Sequence, residues 1–139
     1  MTEEERNIAL CTGIREAINY HDLSRIDEVM APDFQDHHPG IGAGVSDRER
    51  YKQALRYVHE TLDMKAEVLF TLAKPPYVVT RVKLTGTHIG PFMGIPATQR
   101  KVEWSTIEIY RADNGQLKER WALDDMAGLL KQLNVAIPL

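Results

Sequence analysis

The sequence predicts one α+β domain, because its hydrophobic periodicity changes once along the chain. Up to about residue 62 apolar residues recur at helical spacing, and from residue 64 onward they alternate with polar residues as in β-strands. Helices followed by a run of antiparallel strands are typical of α+β folds and not of doubly wound sheets. We therefore expect a single domain, residues 1–139, shaped as a cone-like barrel: a curved antiparallel sheet wrapped over three N-terminal helices, with a short C-terminal helix.

The first helix is predicted from a capping box and an apolar stripe. Thr2 and Glu5 have the spacing at which each side chain satisfies the other residue's backbone N–H. The stripe that follows consists of Ile8, Cys11, Ile14 and Ile18. We expect this helix to end near His21.

Serine residues are predicted to cap the next two helices. Ser24 caps a short second helix that runs through Met30, since Pro32 keeps the residue before it out of helical geometry. The third helix begins at Ser46, with Glu49 completing another capping box. Its apolar stripe consists of Tyr51, Ala54, Leu55, Val58 and Leu62.

Four strands are predicted after the helices. The first has one buried face, formed by Met64, Ala66, Val68, Phe70 and Leu72, and two prolines end it. The second runs from Tyr77 to about His88, and its alternating polar residues indicate that one face meets water. The third and fourth, about 101–111 and 116–123, flank an Asn-Gly hairpin signal. A last helix is predicted from Asp125 to Leu133, followed by a tail, residues 136–139.

Composition excludes several classes of function. The formal charge is −3, from 17 basic and 20 acidic residues that are mixed along the chain, so no basic stripe is available for nucleic acid. The single cysteine, Cys11, cannot form a disulfide framework or a thiolate metal cluster within one chain and fits a reducing compartment. The N-terminal MTEEER precedes no long apolar run, so we expect neither a signal peptide nor a membrane anchor. We therefore expect a cytoplasmic protein.

A glycine- and proline-rich stretch, TGTHIGPFMGIPATQRKVEW (85–104), interrupts the strand region. A phosphate-binding glycine loop opens a helix, whereas this stretch leads into a strand and lacks the lysine of a P-loop. We expect a structural loop: Gly86 relaxes the strand, and Gly90 and Gly94 help to carry the chain around a wide bend. The apolar residues on this loop can close one end of the cone.

Motifs along most of the chain carry a family resemblance. They are Phe34-x-Asp36-His37, Thr85-Gly86-Thr87-His88 with Gly90, Phe92, Gly94, Pro96 and Thr98, Glu119-x-Trp121, and Gly128-Leu129-Leu130-x-Gln132-Leu133. In this order they resemble the SnoaL-like polyketide cyclase family, of the superfamily whose fold is named after nuclear transport factor two. The resemblance implies a cone-shaped α+β barrel, usually oligomeric, whose cavity performs a cofactor-free intramolecular aldol ring closure. The same fold also carries isomerases, hydratases, hydroxylase-like members and binding proteins.

Two positions depart from the family pattern. Gln99 stands where the family usually has glycine. In well-studied cyclases the carboxylate that acts as acid and base directly follows the tryptophan of the E-x-W segment, and here that position is Ala122. A methyl group cannot transfer protons, so another residue must do so if the chain is an enzyme.

The last two strands supply the main candidate site. If their connection is a three-residue loop, Glu108 faces Arg120 and Thr106 faces Ala122. Glu108 and Arg120 also fall where the resemblance places cavity histidines, so we predict an ion pair inside the cone. A solvent-facing cross-strand pair is the equal alternative. Asp124 could reach the cavity rim, although it or Asp125 could instead cap the last helix.

The histidines and aromatic residues complete the candidates. His37 is a candidate base or donor in the cavity, since imidazole titrates near neutral pH, and a structural hydrogen bond is its alternative. Too few ligands are available for us to expect a metal site. His88 is a candidate substrate contact, with a structural role beside the glycines slightly favoured. The aromatic wall is assigned to Phe34, Tyr51, Phe92 and Trp104, for which core packing is the default account.

Together these features predict an enzyme that works without a cofactor on a small, apolar, oxygen-bearing carbonyl compound. Its catalytic set would be His37, Glu108, Arg120 and Asp124, and its reaction an aldol cyclisation or an isomerisation. The alternative is a binding protein with the same cavity and no turnover. We also expect a homodimer formed through the outer face of the sheet, because apolar residues there must be buried.

Overall fold

The computed structural model describes residues 1–38 and 44–135. The predicted tail, residues 136–139, lies outside the described residues. The helices are α1 (Glu3–Tyr20), α2 (Ser24–Val29), α3 (Arg48–Leu62) and α4 (Met126–Gln132). The strands are β1 (Met30–Asp36), β2 (Lys65–Lys74), β3 (Tyr77–Thr87), β4 (Lys101–Asp113) and β5 (Gln116–Asp124).

The strands form one curved sheet in the order β1-β5-β4-β3-β2, and the predicted α+β fold is confirmed. The sheet is open, with β1 and β2 at its edges. All neighbours are antiparallel except β1 and β5, which are parallel. The helices cover the inner face, where α1 packs on β2 and the apolar core lies between helices and sheet.

Helix starts were predicted well for α1 and α4, but the predicted caps of α2 and α3 are wrong. Thr2 and Glu5 form both hydrogen bonds of the capping box, as expected. Ser24 does not cap α2: it is the first helical residue, and its hydroxyl bonds the side chain of Asp22. Ser46 does not cap α3 either, because the side chain of Asp47 accepts from the backbone of Arg50 at 2.9 Å.

Strand β1 has no counterpart among the predicted strands. The second helix ends at Val29, and Met30, predicted as helical, already begins the strand. Pro32 explains the extended backbone, and the parallel pairing with β5 supplies hydrogen bonds that a local pattern does not reveal. This strand brings Asp36 beside Arg120.

A bulge in β2 changes which residues are buried. The pairing with β3 shifts between Val68 and Phe70, so Leu69 is an extra residue in the strand. Met64 and Ala66 are buried as predicted, whereas Phe70 and Leu72 point outward and are exposed. The prediction of one buried face along the whole strand is therefore wrong beyond the bulge.

The hairpin between β4 and β5 has a different register from the predicted one. Its loop has two residues, Asn114 and Gly115, both with positive φ. The strand pairing also shifts in register between Arg111 and Ala112. As a result Glu108 faces Ala122 and Tyr110 faces Arg120, two positions away from the prediction. The same residues nevertheless stay on the same face, because a shift by two conserves the alternation.

Glycine is required where the end of β3 and the loop after it pass close to α3. A Cβ added to Gly86 would lie 2.0 Å from the backbone oxygen of Leu62, and one added to Gly90 would lie 2.8 Å from that of Glu60. These glycines thus permit close packing against the end of α3. Phe92 on this loop is buried against the core.

Within the described ranges we find no helix whose length and apolar content would let it cross a membrane.

Candidate active site

A pocket of about 120 Å³ lies between the inner face of the sheet and helices α1 and α3. Most of its wall is apolar and includes Ile14, Leu55, Val82, Phe92, Trp104 and Leu129. Its polar members come mainly from the neighbouring strands β4 and β5, whose inward positions repeat every second residue. One part of the wall is therefore polar and the rest is apolar.

Arg120 is the centre of the polar part. Its Nε donates a hydrogen bond of 2.8 Å to Glu108 Oε2, and its Nη1 donates to both carboxylate oxygens of Asp36 at 3.1 Å. Nη1 also donates to the carbonyl oxygen of His38 at 2.9 Å. Glu108 is 8% exposed, Arg120 9% and Asp36 1%. The ion pair is thus buried at the pocket, and the solvent-facing alternative is wrong.

Two tyrosines support this network. Tyr110 donates its hydroxyl to Glu108 Oε2 at 2.8 Å, and the Tyr51 ring lies 5.5 Å from the Arg120 guanidinium carbon, within cation–π range. Burial raises the pKa of both phenols above the ordinary value, so both stay protonated and uncharged. Each tyrosine therefore holds a neighbouring charged group in place.

Arg120 keeps its charge in this setting. Burial alone would lower its pKa, but the nearby negative charge of Glu108, with a further contribution from Asp36, outweighs burial, and the pKa is raised. The described residues offer no hydrogen-bond acceptor to its Nη2. Arg120 can thus stabilise negative charge in the pocket.

Asp124 and Asp125, between which the sequence could not choose, have different positions. Asp125 caps α4, because its side chain accepts from the backbone N–H of Gly128 at 2.9 Å. Asp124 lines the pocket. Burial raises the pKa of the Asp124 carboxyl, and a hydrogen bond from the Thr106 hydroxyl and the positive charge of Arg120 only partly oppose this effect. A carboxyl of this kind can accept and return a proton.

His37 does not reach the pocket. Its ring stacks on Trp121 with centroids 4.9 Å apart, and its Nε2 lies 3.3 Å from Glu119 Oε1. Asp36, the preceding residue, points inward, so alternation along the strand turns His37 to the other side. The expectation that His37 faces the cavity is not met, and we assign it no part in the chemistry.

His88 is buried in the loop after β3, away from the pocket wall. Its Nδ1 accepts from the backbone N–H of Thr98 at 3.2 Å and lies 3.0 Å from the Thr98 hydroxyl. These bonds fit the structural role, and the expected substrate contact is not met. Cys11 does line the pocket, and burial, with a smaller contribution from Glu108, raises the pKa of its thiol to about 12.

The predicted aromatic wall is largely present. Tyr51, Phe92 and Trp104 line the pocket, as predicted. Phe34 does not: it is fully buried and packs edge-on against Tyr51, with ring centroids 6.0 Å apart. Its role is to support the wall from behind.

Three functional candidates were missed from the sequence: Asp36, Tyr110 and Thr106. Tyr110 and Thr106 share the alternating face of Glu108, a signal that was available. Asp36 could be recognised only with β1 placed beside β5. Across residues 1–38 and 44–135, no three His, Cys, Asp or Glu side chains cluster in a way that could hold a metal ion.

Fold and pocket together define an α+β protein of the nuclear transport factor two-like class. More narrowly, the chain belongs to the SnoaL-like polyketide cyclase family, whose sequence model matches residues 9–133. It is 25% identical over 122 residues to nogalonic acid methyl ester cyclase from Streptomyces nogalater, which covers 84% of this chain and 89% of that protein.

Two solved structures show the same fold. IdmH from Streptomyces antibioticus is 30% identical, with 93% of this chain and 99% of that chain covered and a TM-score of 0.83. TsrD from Streptomyces laurentii is 23% identical, with 98% and 100% covered and a TM-score of 0.86. The second likeness bears on the fold alone.

Proposed function

We propose that this protein is a small-molecule enzyme that performs acid/base chemistry without a cofactor on an apolar carbonyl compound. The reaction is an aldol ring closure or an isomerisation of the kind its family suggests. The observation that carries the proposal is Asp124, a carboxyl with a raised pKa in a mostly apolar pocket that also contains Arg120. Such a combination suits removal of a proton next to a carbonyl group.

The chemistry follows from the charges of these two residues. The Asp124 carboxylate takes a proton from the carbon beside the substrate carbonyl, and the electrons of that C–H bond form an enolate, which the positive charge of Arg120 stabilises. In an aldol closure the enolate carbon then bonds to a second carbonyl carbon of the same molecule. Asp124 returns its proton to the resulting alkoxide, so substrate and product are isomers.

Glu108 and Asp36 are assigned the positioning of Arg120. Each accepts a hydrogen bond from the guanidinium, and Tyr110 fixes Glu108 in turn. An arginine held from two sides loses little freedom when a ligand binds, which favours binding of the charge that develops during reaction. Glu108 is thus a positioning residue, while Arg120 and Asp124 act on the substrate.

The volume of the pocket indicates the shape of the ligand. A cavity of about 150 Å³ admits benzene, and the 120 Å³ found here is of the same order. We therefore propose that the pocket takes one ring, or a chain segment of similar size, and that larger parts of the substrate remain outside.

A binding protein without turnover is the second candidate. It is favoured by Ala122, the methyl group at the position of the usual family carboxylate. The two candidates differ in whether Asp124 can replace that carboxylate from two residues further along the same strand face.

We also propose that a second copy of the chain covers the outer face of the sheet. Strand pairing places Leu72, Val79, Ile109 and Trp121 in one row across four strands, and Ile107 beside Leu123 in the next. Several of these side chains are exposed, Leu123 by 76%. A continuous apolar surface suits a two-fold dimer.

We also assign the protein to the cytoplasm, which its single, buried thiol fits.

The enzyme proposal can be tested with cyclohexanone, a one-ring ketone. Its α-protons exchange with deuterium in heavy water, and NMR follows the rate with and without protein. We expect wild-type protein to accelerate the exchange and Asp124→Asn to reduce the acceleration by about 10²–10⁴-fold. Asp125→Asn is the matched control, because asparagine caps a helix as well as aspartate does. No acceleration by the wild type would support the binding candidate.

A further inference from the structure

Arg15 is a charged residue at the rim of the pocket. It lies on α1, where it lines the pocket together with Cys11, Ile14 and Ile18. These three neighbours are buried, whereas Arg15 is only half-buried, as is Ala54 of α3 in the same wall. Arg15 therefore stands where the pocket meets solvent.

Neighbouring residues do not neutralise the charge of Arg15. On a helix, an arginine can pair with acidic residues three or four positions away. Those positions are occupied here by Cys11, Thr12, Ile18 and Asn19. The adjacent Glu16 pairs with Arg25, and within residues 1–38 and 44–135 no group accepts a hydrogen bond from the Arg15 guanidinium.

The carboxylates of the pocket are engaged by other residues. Asp36 and Glu108 each accept hydrogen bonds from Arg120. Asp124 faces Thr106 across the strands and accepts a hydrogen bond from its hydroxyl. A guanidinium is weakly hydrated, and its parallel N–H donors match the two oxygens of a carboxylate. An anionic group of a ligand can therefore supply the partner that Arg15 lacks.

The size of the pocket gives this arginine a place in substrate recognition. If the pocket takes one ring, as proposed, the rest of a larger substrate passes the rim towards solvent. Arg15 lies at that rim, and Asp124, which is also half-buried, lines the same pocket. A charge bound at the rim would fix how far the ring enters, and hence which of its carbons lies beside Asp124.

We propose that Arg15 is a specificity-determining residue that binds a negatively charged group, such as a carboxylate, on the part of the substrate outside the ring pocket. The substrate is then an acidic compound: one apolar ring with a carbonyl group, joined to an anionic arm. This inference rests on the proposed function in one respect, that the pocket takes a ring and leaves the rest of the ligand outside.

The test compares 3-phenylpropionate with 3-phenylpropanamide, which share the ring and the arm but differ in charge at pH 7. Affinities are measured by NMR titration of wild type, Arg15→Met, Arg15→Lys and Arg56→Met. Arg56 is the matched control, because it is an exposed arginine of α3 that does not line the pocket.

Wild type should bind the carboxylate roughly tenfold more tightly than the amide. Arg15→Met should abolish this preference by weakening carboxylate binding, with amide binding and the melting temperature unchanged, since the side chain makes no ion pair within the described part of the fold. Arg15→Lys should keep part of the preference, because lysine keeps the charge but not the paired donors. Arg56→Met should keep all of it.

Other results would overturn the inference. If wild type binds both probes equally, or binds neither, Arg15 recognises no anionic arm. If Arg15→Met keeps the wild-type preference, another cation supplies it and the assignment fails, even where cyclohexanone exchange is accelerated. If Arg15→Met weakens both probes equally, the side chain only shapes the wall. If the preference behaves as expected but cyclohexanone exchange is not accelerated, the enzyme proposal fails and the binding role of Arg15 stands.

Discussion

Removal of the Arg120 charge is the perturbation that most strongly tests the buried ion pairs of Arg120 with Glu108 and Asp36. In Arg120→Met the side chain keeps a similar length but loses its charge and its hydrogen bonds. Asp36 and Glu108, both buried, would then lose the cation that lies between them. We expect a large loss of stability for this reason and only a small part of it from lost packing.

The expected size follows from burial. Removing one partner of a buried ion pair costs about 3–5 kcal/mol, because it leaves an uncompensated charge. A domain is stable by about 5–15 kcal/mol in total, so the loss is a large fraction of the whole. Lys118, on the same strand, provides a matched control, because its Nζ lies 3.0 Å from Oδ1 of Asp33, whose side chain is 74% exposed. Lys118→Met should cost less than about 1 kcal/mol.

Urea unfolding followed by tryptophan fluorescence measures both variants. If Arg120→Met does not fold, Arg120→Lys should still fold with an intermediate loss, because lysine keeps the charge but not the guanidinium hydrogen bonds. The double variant Glu108→Gln/Arg120→Met should lose less free energy of unfolding than the two single variants lose in sum. A loss below about 1 kcal/mol for Arg120→Met, equal to the control, would refute the buried network.

Further predictions concern the carboxyl, the thiol, the glycine and the outer face of the sheet. The pKa of Asp124 is higher in the folded state, so its ionised form destabilises the fold above that pKa, and the free energy of unfolding rises as the pH falls through it. Asp124→Asn should therefore raise the free energy of unfolding at pH 7, measured with urea, by about 0.5–2 kcal/mol. Cys11 should react with a thiol reagent at pH 8 only on unfolding, since its pKa is about 12; fast reaction in the native state would contradict this. Gly86→Ala should cost about 1–3 kcal/mol by thermal unfolding, as its Cβ would meet backbone; a neutral effect would argue against the close approach. Ile107→Lys should halve the mass measured by light scattering, whereas Ile89→Lys, an exposed loop position, should leave a dimer; a wild-type monomer would refute the dimer.

Local patterns predicted most elements because they depend on neighbouring residues. The capping box at Thr2 and the alternation along β3 and β4 needed no tertiary information. The bulge at Leu69 and the parallel strand β1 did need it, because both depend on which strand lies alongside. Local sequence does not specify that choice.

The candidate site was predicted by alternation more than by register. Glu108 and Arg120 are diagonal neighbours and not direct partners, yet they meet because long side chains on one face reach across two residues. The position of His37 could not be decided in the same way. The pattern Asp36-His37 places one side chain inside and one outside, and only the pairing of β1 with β5 shows that Asp36 is inside.

The most direct test of the proposed chemistry is a site-resolved titration of the Asp124 carboxyl carbon by ¹³C NMR, assigned with Asp124→Asn. The proposed role requires a midpoint above the ordinary aspartate value of about 3.9, so that the group can both take and return a proton during reaction. A midpoint at or below that value would show a solvated or strongly paired carboxylate and would contradict the assignment of Asp124 as acid and base.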